Sequence, residues 1–165
     1  VDVLFMDEHE VRQFAAPHVQ SVNVIKAARY ILGMGPKLVI VKRGEHGVIQ
    51  FTRDSVFAAP AYPLENVTDP TGAGDSFAGG FMGYVAATGD LSPSGFRRAT
   101  ILGSVMGSFA VESFSADRLR SLALPDISTR FHDFTNLSQF DGLKEPETLP
   151  WRAGVRVRGW HHNNT

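Results

Sequence analysis

The chain has 165 residues, 43% apolar and 20% charged, with 16 Lys and Arg against 17 Asp and Glu and a formal net charge of −1. That length and balance fit one globular domain with a real core, and no basic excess points to nucleic acid as a partner. Without cysteine, disulfides, thiolate metal sites and cysteine nucleophiles are excluded, and any catalysis falls to oxygen and nitrogen groups.

Val1 to Met6 is a short β-rich run that stops at Asp7, and Asp7 with Glu10 has the spacing of an acidic capping box, so a strand leads into a helix. The chain opens inside that strand without Met or a basic leader, and no apolar run approaches the roughly 20 residues of a membrane span. A preceding portion, a cytoplasmic location and no membrane partner are therefore expected. A second helix is predicted from Ser21 to about Leu32, with Val24, Ala28, Ile31 and Leu32 on one face and Gly33-Met34-Gly35-Pro36 closing it. Leu38 to Lys42 reads as a fully buried strand. The runs Val48 to Phe51 and Val56 to Ala59, joined by an Arg53-Asp54-Ser55 turn, read as hairpin-connected strands, which makes the sheet mixed.

From Asp75 the pattern turns helical, with Phe77, Phe81, Tyr84 and Val85 at three- and four-residue spacing, and Arg97 to Val111 repeats it through Ile101, Val105 and Phe109. Gly79, Gly80 and Gly83 each weaken the first of these helices, so their accumulation predicts close packing against a neighbour. Shorter helices follow at Ala116 to Ala123 and Ile127 to Leu137. Strands first and helices later, after a strand–helix–strand opening, argue for α/β layers with helices against a largely parallel sheet. Residues 141–165 carry no trusted periodicity and read as a loosely ordered tail outside a unit of residues 1–140. No histidine pair has the spacing of a zinc site.

Residues 69–77, Asp69-Pro70-Thr71-Gly72-Ala73-Gly74-Asp75-Ser76-Phe77, are the most informative stretch. Two glycines one residue apart, directly before a helix, can point several backbone N–H groups at one spot where the helix dipole also favours an anion. Amides of Ala73, Gly74 and Asp75 would suit a phosphoryl group in transfer, and the Asp75 carboxylate would accept the proton of an attacking hydroxyl. A dinucleotide fingerprint fails because Phe77 stands at the third glycine position, and a P-loop fails because no Lys or Arg occurs between Asp54 and Arg97. Gly74-Asp75-Ser76-Phe77 also looks like the nucleophile block of Gly-Asp-Ser-Leu hydrolases, with Ser76 attacking an ester. No Asp-x-x-His follows Ser76, however.

Asp69 to Phe81 is very close to the C-terminal signature of the ribokinase, or phosphofructokinase B, family of carbohydrate kinases, which the chain resembles over residues 1–140. The resemblance implies a ribokinase-like three-layer α/β/α fold with a largely parallel mixed sheet, present here as its C-terminal portion without the N-terminal strands, lid and most sugar contacts. It implies Asp75 as catalytic base, Gly72, Ala73 and Gly74 with Asp75 as the anion hole, and Asp69 and Thr71 as aids to an activating monovalent cation, K+. Pro70 stands where the family usually has Thr, which removes one hydroxyl and one N–H.

Asp7-Glu8-His9-Glu10 is similar to the family's Asn-x-x-Glu motif, implying that Asp7 and Glu10 order Mg2+ through its waters, with Asp in place of Asn. Val41-Lys42-Arg43-Gly44-Glu45-His46-Gly47 is similar to the strand and turn that flank the nucleotide, implying ATP contacts at Lys42, Arg43, Gly44 and Gly47. Ser108 to Phe114 falls where the family places part of its adenine pocket, which brings in Ser108 and Glu112. Read by themselves, Asp7 and Glu10 are equally a simple cap, and Lys42 and Arg43 solvated charges at a strand end.

The implied activity is transfer of the γ-phosphoryl of ATP to a hydroxyl of a sugar, in the manner of ribokinase or fructokinase. An adenosine or other nucleoside kinase, an inactive nucleotide-binding remnant and, last, a Ser76 esterase stand as alternatives. Half of a doubly covered sheet would expose an edge strand, so a homodimer or other association through that edge is expected.

Overall fold

The computed structural model describes residues 1–19 and 23–139. The expected start of the second helix at Ser21 and the tail at 141–165 lie outside these residues. In chain order the elements are β1 (Val3–Asp7), α1 (Glu8–Ala15), α2 (Val24–Gly33), β2 (Leu38–Lys42), a single 3-10 turn (Gly44–His46), β3 (Val48–Phe51), β4 (Val56–Ala59), α3 (Ala73–Thr88), α4 (Pro93–Ala110), α5 (Asp117–Arg120) and α6 (Leu124–Ser138).

The four strands form one sheet in the order β1-β2-β3-β4. β1 and β2 run parallel, with Val3 opposite Leu38 and Asp7 opposite Lys42, and α1 and α2 form the crossover between them. β2 with β3 and β3 with β4 are antiparallel. The sheet is mixed, as the two hairpins require, and among the described strands its parallel part narrows to the β1–β2 pair. Between β2 and β3 the chain reverses through Gly44 at φ 55° and Gly47 at φ 83°. A Cβ on Gly47 would strike the carbonyl oxygen of Ala59, so that glycine lets β3 start alongside the end of β4.

Alternation along the strands divides the core in two. Val39, Val41 and Phe51, with Leu4, Met6 and Ile49, meet Val11 and Ala15 of α1 and Ala27, Ala28 and Ile31 of α2. Leu38, Ile40, Val48 and Ala59, with Val3 and Phe5, meet Phe77 and Phe81 of α3 and Ala99 of α4 on the opposite face. Both faces of β2 are therefore covered, and Leu38 to Val41 are each 0% exposed. That is the physical reason an uninterrupted Leu-Val-Ile-Val run marks an interior strand, and the three layers are as expected.

α3 and α4 pack at close range. A Cβ on Gly80 would lie 2.7 Å from Met106 Cγ, and one on Gly103 would lie 2.8 Å from the Phe77 carbonyl oxygen. Of the three α3 glycines expected to serve this packing, Gly80 does, whereas Gly79 and Gly83 meet nothing within 4 Å. Helix starts also move, α6 beginning at Leu124 rather than Ile127 and α5 at Asp117 rather than Ala116. α3 begins at Ala73, which places Asp75 third in the helix rather than first. α4 begins at Pro93 rather than Arg97, because Ser92 caps it by accepting from Gly95 N at 3.0 Å, a signal without apolar periodicity. No helix among the described residues is long and apolar enough to cross a membrane.

Candidate active site

Parallel pairing sets Asp7 and Lys42 side by side at the carboxyl ends of β1 and β2, the end at which open α/β sheets receive ligands. The N-terminus of α3 reaches the same place. A Cβ on Gly74 would lie only 2.5 Å from Lys42 Nζ, so the lysine ammonium rests against the glycine of the proposed anion loop. Lys42 has no ion-pair partner among the described residues. A half-buried cation beside a helix N-terminus adds full charge to the partial charge of the backbone amides.

The loop before α3 is held by its own backbone. Thr68 N and Asp69 N donate to the Val111 carbonyl at 2.8 and 3.3 Å, and Thr68 Oγ1 donates to the Glu112 carbonyl at 2.9 Å. Asp69 Oδ1 accepts from Thr71 N at 2.9 Å, and this hydrogen bond is the main reason the Asp69 carboxyl is held below its ordinary value. Gly72 then turns through φ 79° as the N-cap of α3, a left-handed conformation that glycine adopts without steric cost. Ala73 N turns back to Pro70 O at 3.2 Å, and Ser76 N to Gly72 O at 2.9 Å. The amides of Gly74 and Asp75 have no acceptor among the described residues. Of the three amides nominated from sequence, two therefore point outward and the third closes the turn. The Asp75 side chain is exposed at this helix mouth.

Asp7 and Glu10 form the reciprocal box that their spacing predicts. Asp7 Oδ1 accepts from Glu10 N at 2.8 Å, and Glu10 Oε2 accepts from Asp7 N at 2.7 Å. Each carboxylate thus keeps one oxygen on a backbone amide and one for another partner. No three of His, Cys, Asp and Glu come together as a metal-holding group among the described residues. That donor set fits Mg2+ carried on phosphates and touched by one or two carboxylates, as Mg2+ usually is.

Arg43 is engaged from α1: its Nε donates to Glu8 Oε2 at 2.7 Å, while Arg12 Nη2 donates to Glu8 Oε1 at 2.5 Å. These hydrogen bonds, the one from Arg12 first, hold the Glu8 carboxyl below its ordinary 4.5. Gly44 faces open space, with nothing within 4 Å of an added Cβ, whereas Gly47 is fully used by β4. Ser108 and Glu112 are both held from α6. Arg130 Nη1 donates to Ser108 Oγ at 3.1 Å, and Arg130 Nη2 donates to Glu112 Oε1 at 2.6 Å. Glu8, Arg118 and Arg130 escape sequence reading; only the Glu8–Arg12 spacing of four carries a local signal.

The profile described as pfkB family carbohydrate kinase matches residues 1–121. The chain belongs to this family. Among curated relatives of this pfkB chain, a cytidine kinase from Thermococcus kodakarensis is 42% identical over 88 residues, 51% of this chain and 30% of the relative. A nucleoside kinase from Methanothermobacter thermautotrophicus is 33% identical over 134 residues, 81% of this chain and 38% of the relative. A candidate ribokinase II from E. coli, solved in complex with ATP and Mg2+, superposes with a TM-score of 0.66 at 27% identity, covering 81% of this chain and 40% of that one. The pfkB chain described here thus spans well under half the length of the curated relatives it matches.

Proposed function

We propose that this chain is the nucleotide-binding and catalytic portion of a kinase that transfers the γ-phosphoryl of Mg-ATP to a hydroxyl of a pentose, free or within a nucleoside. The observation that carries the reading is the meeting of Lys42 Nζ with Gly74, at the helix mouth where the Gly74 and Asp75 amides are unshared and the Asp75 carboxylate is exposed. The pentose comes from the relatives, since cytidine and nucleosides in general carry one. It moves nucleosides level with the free sugars favoured by sequence alone.

In this reading the acceptor oxygen attacks the γ-phosphorus in line as the bond to the ADP oxygen breaks, and Asp75 takes the hydroxyl proton. The Gly74 and Asp75 amides and the Lys42 ammonium meet charge that gathers on the equatorial oxygens, with little reorganisation because Gly72 and Asp69 already fix the turn. Mg2+ on the phosphates, ordered through water by Asp7 and Glu10, supplies further neutralisation. Asp69, whose carboxylate already holds Thr71, would aid a monovalent cation together with Thr71. Exchange of Na+ for K+ raises activity under that assignment, and equal rates in both salts count against it.

The test is calorimetric titration of this chain with a non-hydrolysable ATP analogue and Mg2+, followed by a phosphoryl-transfer assay with ribose and cytidine. One-site binding is expected to survive Asp75→Asn and to be lost in Gly74→Val, whose side chain would displace Lys42. Transfer should fall at least about 100-fold in Asp75→Asn, the usual scale of lost general-base catalysis. A folded chain that does not bind the analogue overturns the reading. Binding without transfer favours the inert nucleotide-binding module.

A further inference from the structure

We propose that Arg130 on α6 is a positioning residue for the anion loop, although it touches none of the loop's residues itself. Its guanidinium lies between two rings, 3.5 Å from the Phe109 centroid and 4.4 Å from that of Tyr62, and its side chain is only 14% exposed. Tyr62 is held in turn by Asp133, which accepts from its hydroxyl at 2.8 Å. So placed, Arg130 grips Glu112 at 2.6 Å, and Arg118 Nε takes the other carboxylate oxygen at 3.2 Å.

Glu112 follows the C-terminal end of α4, where the helix dipole is negative and a bare carboxylate is disfavoured. The two arginines offset that repulsion and fix the end of the helix. The main-chain oxygens of Val111 and Glu112 are the acceptors that hold Thr68 and Asp69, and Asp69 closes the turn on Thr71 before Gly72 starts α3. Hydrogen bonds joined by short stretches of backbone therefore link α6 to Thr71, just ahead of the Gly72 turn. α6 lies beyond residue 121, where the family match ends, so this support is not part of the matched signature. The meaning of the loop as a phosphate site rests on the function proposed above; its support by Arg130 does not.

Two readouts separate these. Amide hydrogen exchange of peptides covering residues 68–75 reports the loop directly, and titration with the ATP analogue and Mg2+ reports its use. Arg130→Met, which keeps bulk between the rings but removes the charge, is expected to speed exchange in 68–75 at least fivefold, with peptides of β2 unchanged. It should weaken analogue binding about tenfold, and Arg130→Lys should recover part of both. A role confined to packing α6 would lower the melting temperature and leave 68–75 exchanging at the β2-referenced wild-type rate, which overturns the proposal. If Arg130→Met does not fold, Glu112→Gln removes, from the other partner, the charge that Arg130 grips. Unchanged loop exchange in that variant overturns the proposal, and selective acceleration supports it. If the wild-type chain does not bind the analogue, the nucleotide reading fails while the exchange result still decides for or against Arg130.

Discussion

Lys42 and Gly74 are 32 positions apart in sequence and in contact in space, and a side chain at position 74 would meet the tip of that lysine rather than backbone. Gly74 lies inside α3 at an ordinary helical φ, so the constraint is the Lys42 ammonium 2.5 Å from an added Cβ. Replacing Lys42 by Met should leave the fold intact, because the aliphatic stem still covers the strand end. Analogue affinity should drop roughly tenfold or more, since hydrogen bonds to charged groups contribute about 1.5–3 kcal/mol; calorimetry measures it, and unchanged affinity would remove Lys42 from the site. Glu8 titrates with a definite sign. Its carboxyl is held below 4.5 by Arg12 and Arg43, so the stabilisation is present above that value and is lost as pH falls through the depressed one. Melting curves between about pH 6 and pH 3 should show a stability loss that Glu8→Gln makes smaller, while leaving that variant less stable near neutrality.

At the scale of elements, the α3–α4 pair is the rigid base on which the anion loop stands. Small residues let the helix backbones approach, and the Gly103 contact with Phe77 lies one turn below the loop. Gly103→Val should cost on the order of 1–3 kcal/mol through overpacking, read from the urea midpoint, whereas Gly83→Ala on the exposed face should be neutral or mildly stabilising because helix propensity improves. Equal effects would mean that α3 does not pack on α4 as described. The capping box of α1 shows how one geometry serves two ends. Asp7 and Glu10 each hold the other's backbone amide and still keep an oxygen at the strand ends, so capping leaves room for the magnesium-ordering role proposed above.

For the whole molecule, β1 lies at one edge of the described sheet, and that edge carries a prediction about behaviour in solution. Leu4, Phe5 and Met6 of this strand, with Gln13 and Phe14 of α1, line an open groove of about 400 Å³, and Phe14 is 47% exposed. An apolar edge strand with unshared backbone groups is a template for pairing. Self-association is therefore expected, as a sedimentation mass that rises with concentration and falls when the exposed Phe14 is replaced by Lys; a monomer at every concentration would argue that the edge is protected. The described strands of the open sheet were legible because each is a short apolar run between Gly, Pro or Asp boundaries. The start of α4 was not, since Pro93 and Ser94 follow capping chemistry rather than hydrophobic period.

What the sequence by itself determined is local: the strand–helix punctuation, the Asp7–Glu10 box, the Gly72 turn and the run of residues from Asp69 to Phe81 that marks the family. Each depends on a dihedral preference or on a partner within four positions. The tertiary structure alone decided which of these meet. Parallel pairing of β1 with β2 set Asp7 beside Lys42, packing of α3 brought Gly74 against that lysine, and the docking of α6 gave Glu112 its arginines. Such contacts join residues tens of positions apart, and their geometry follows from how the layers pack, which no local spacing encodes.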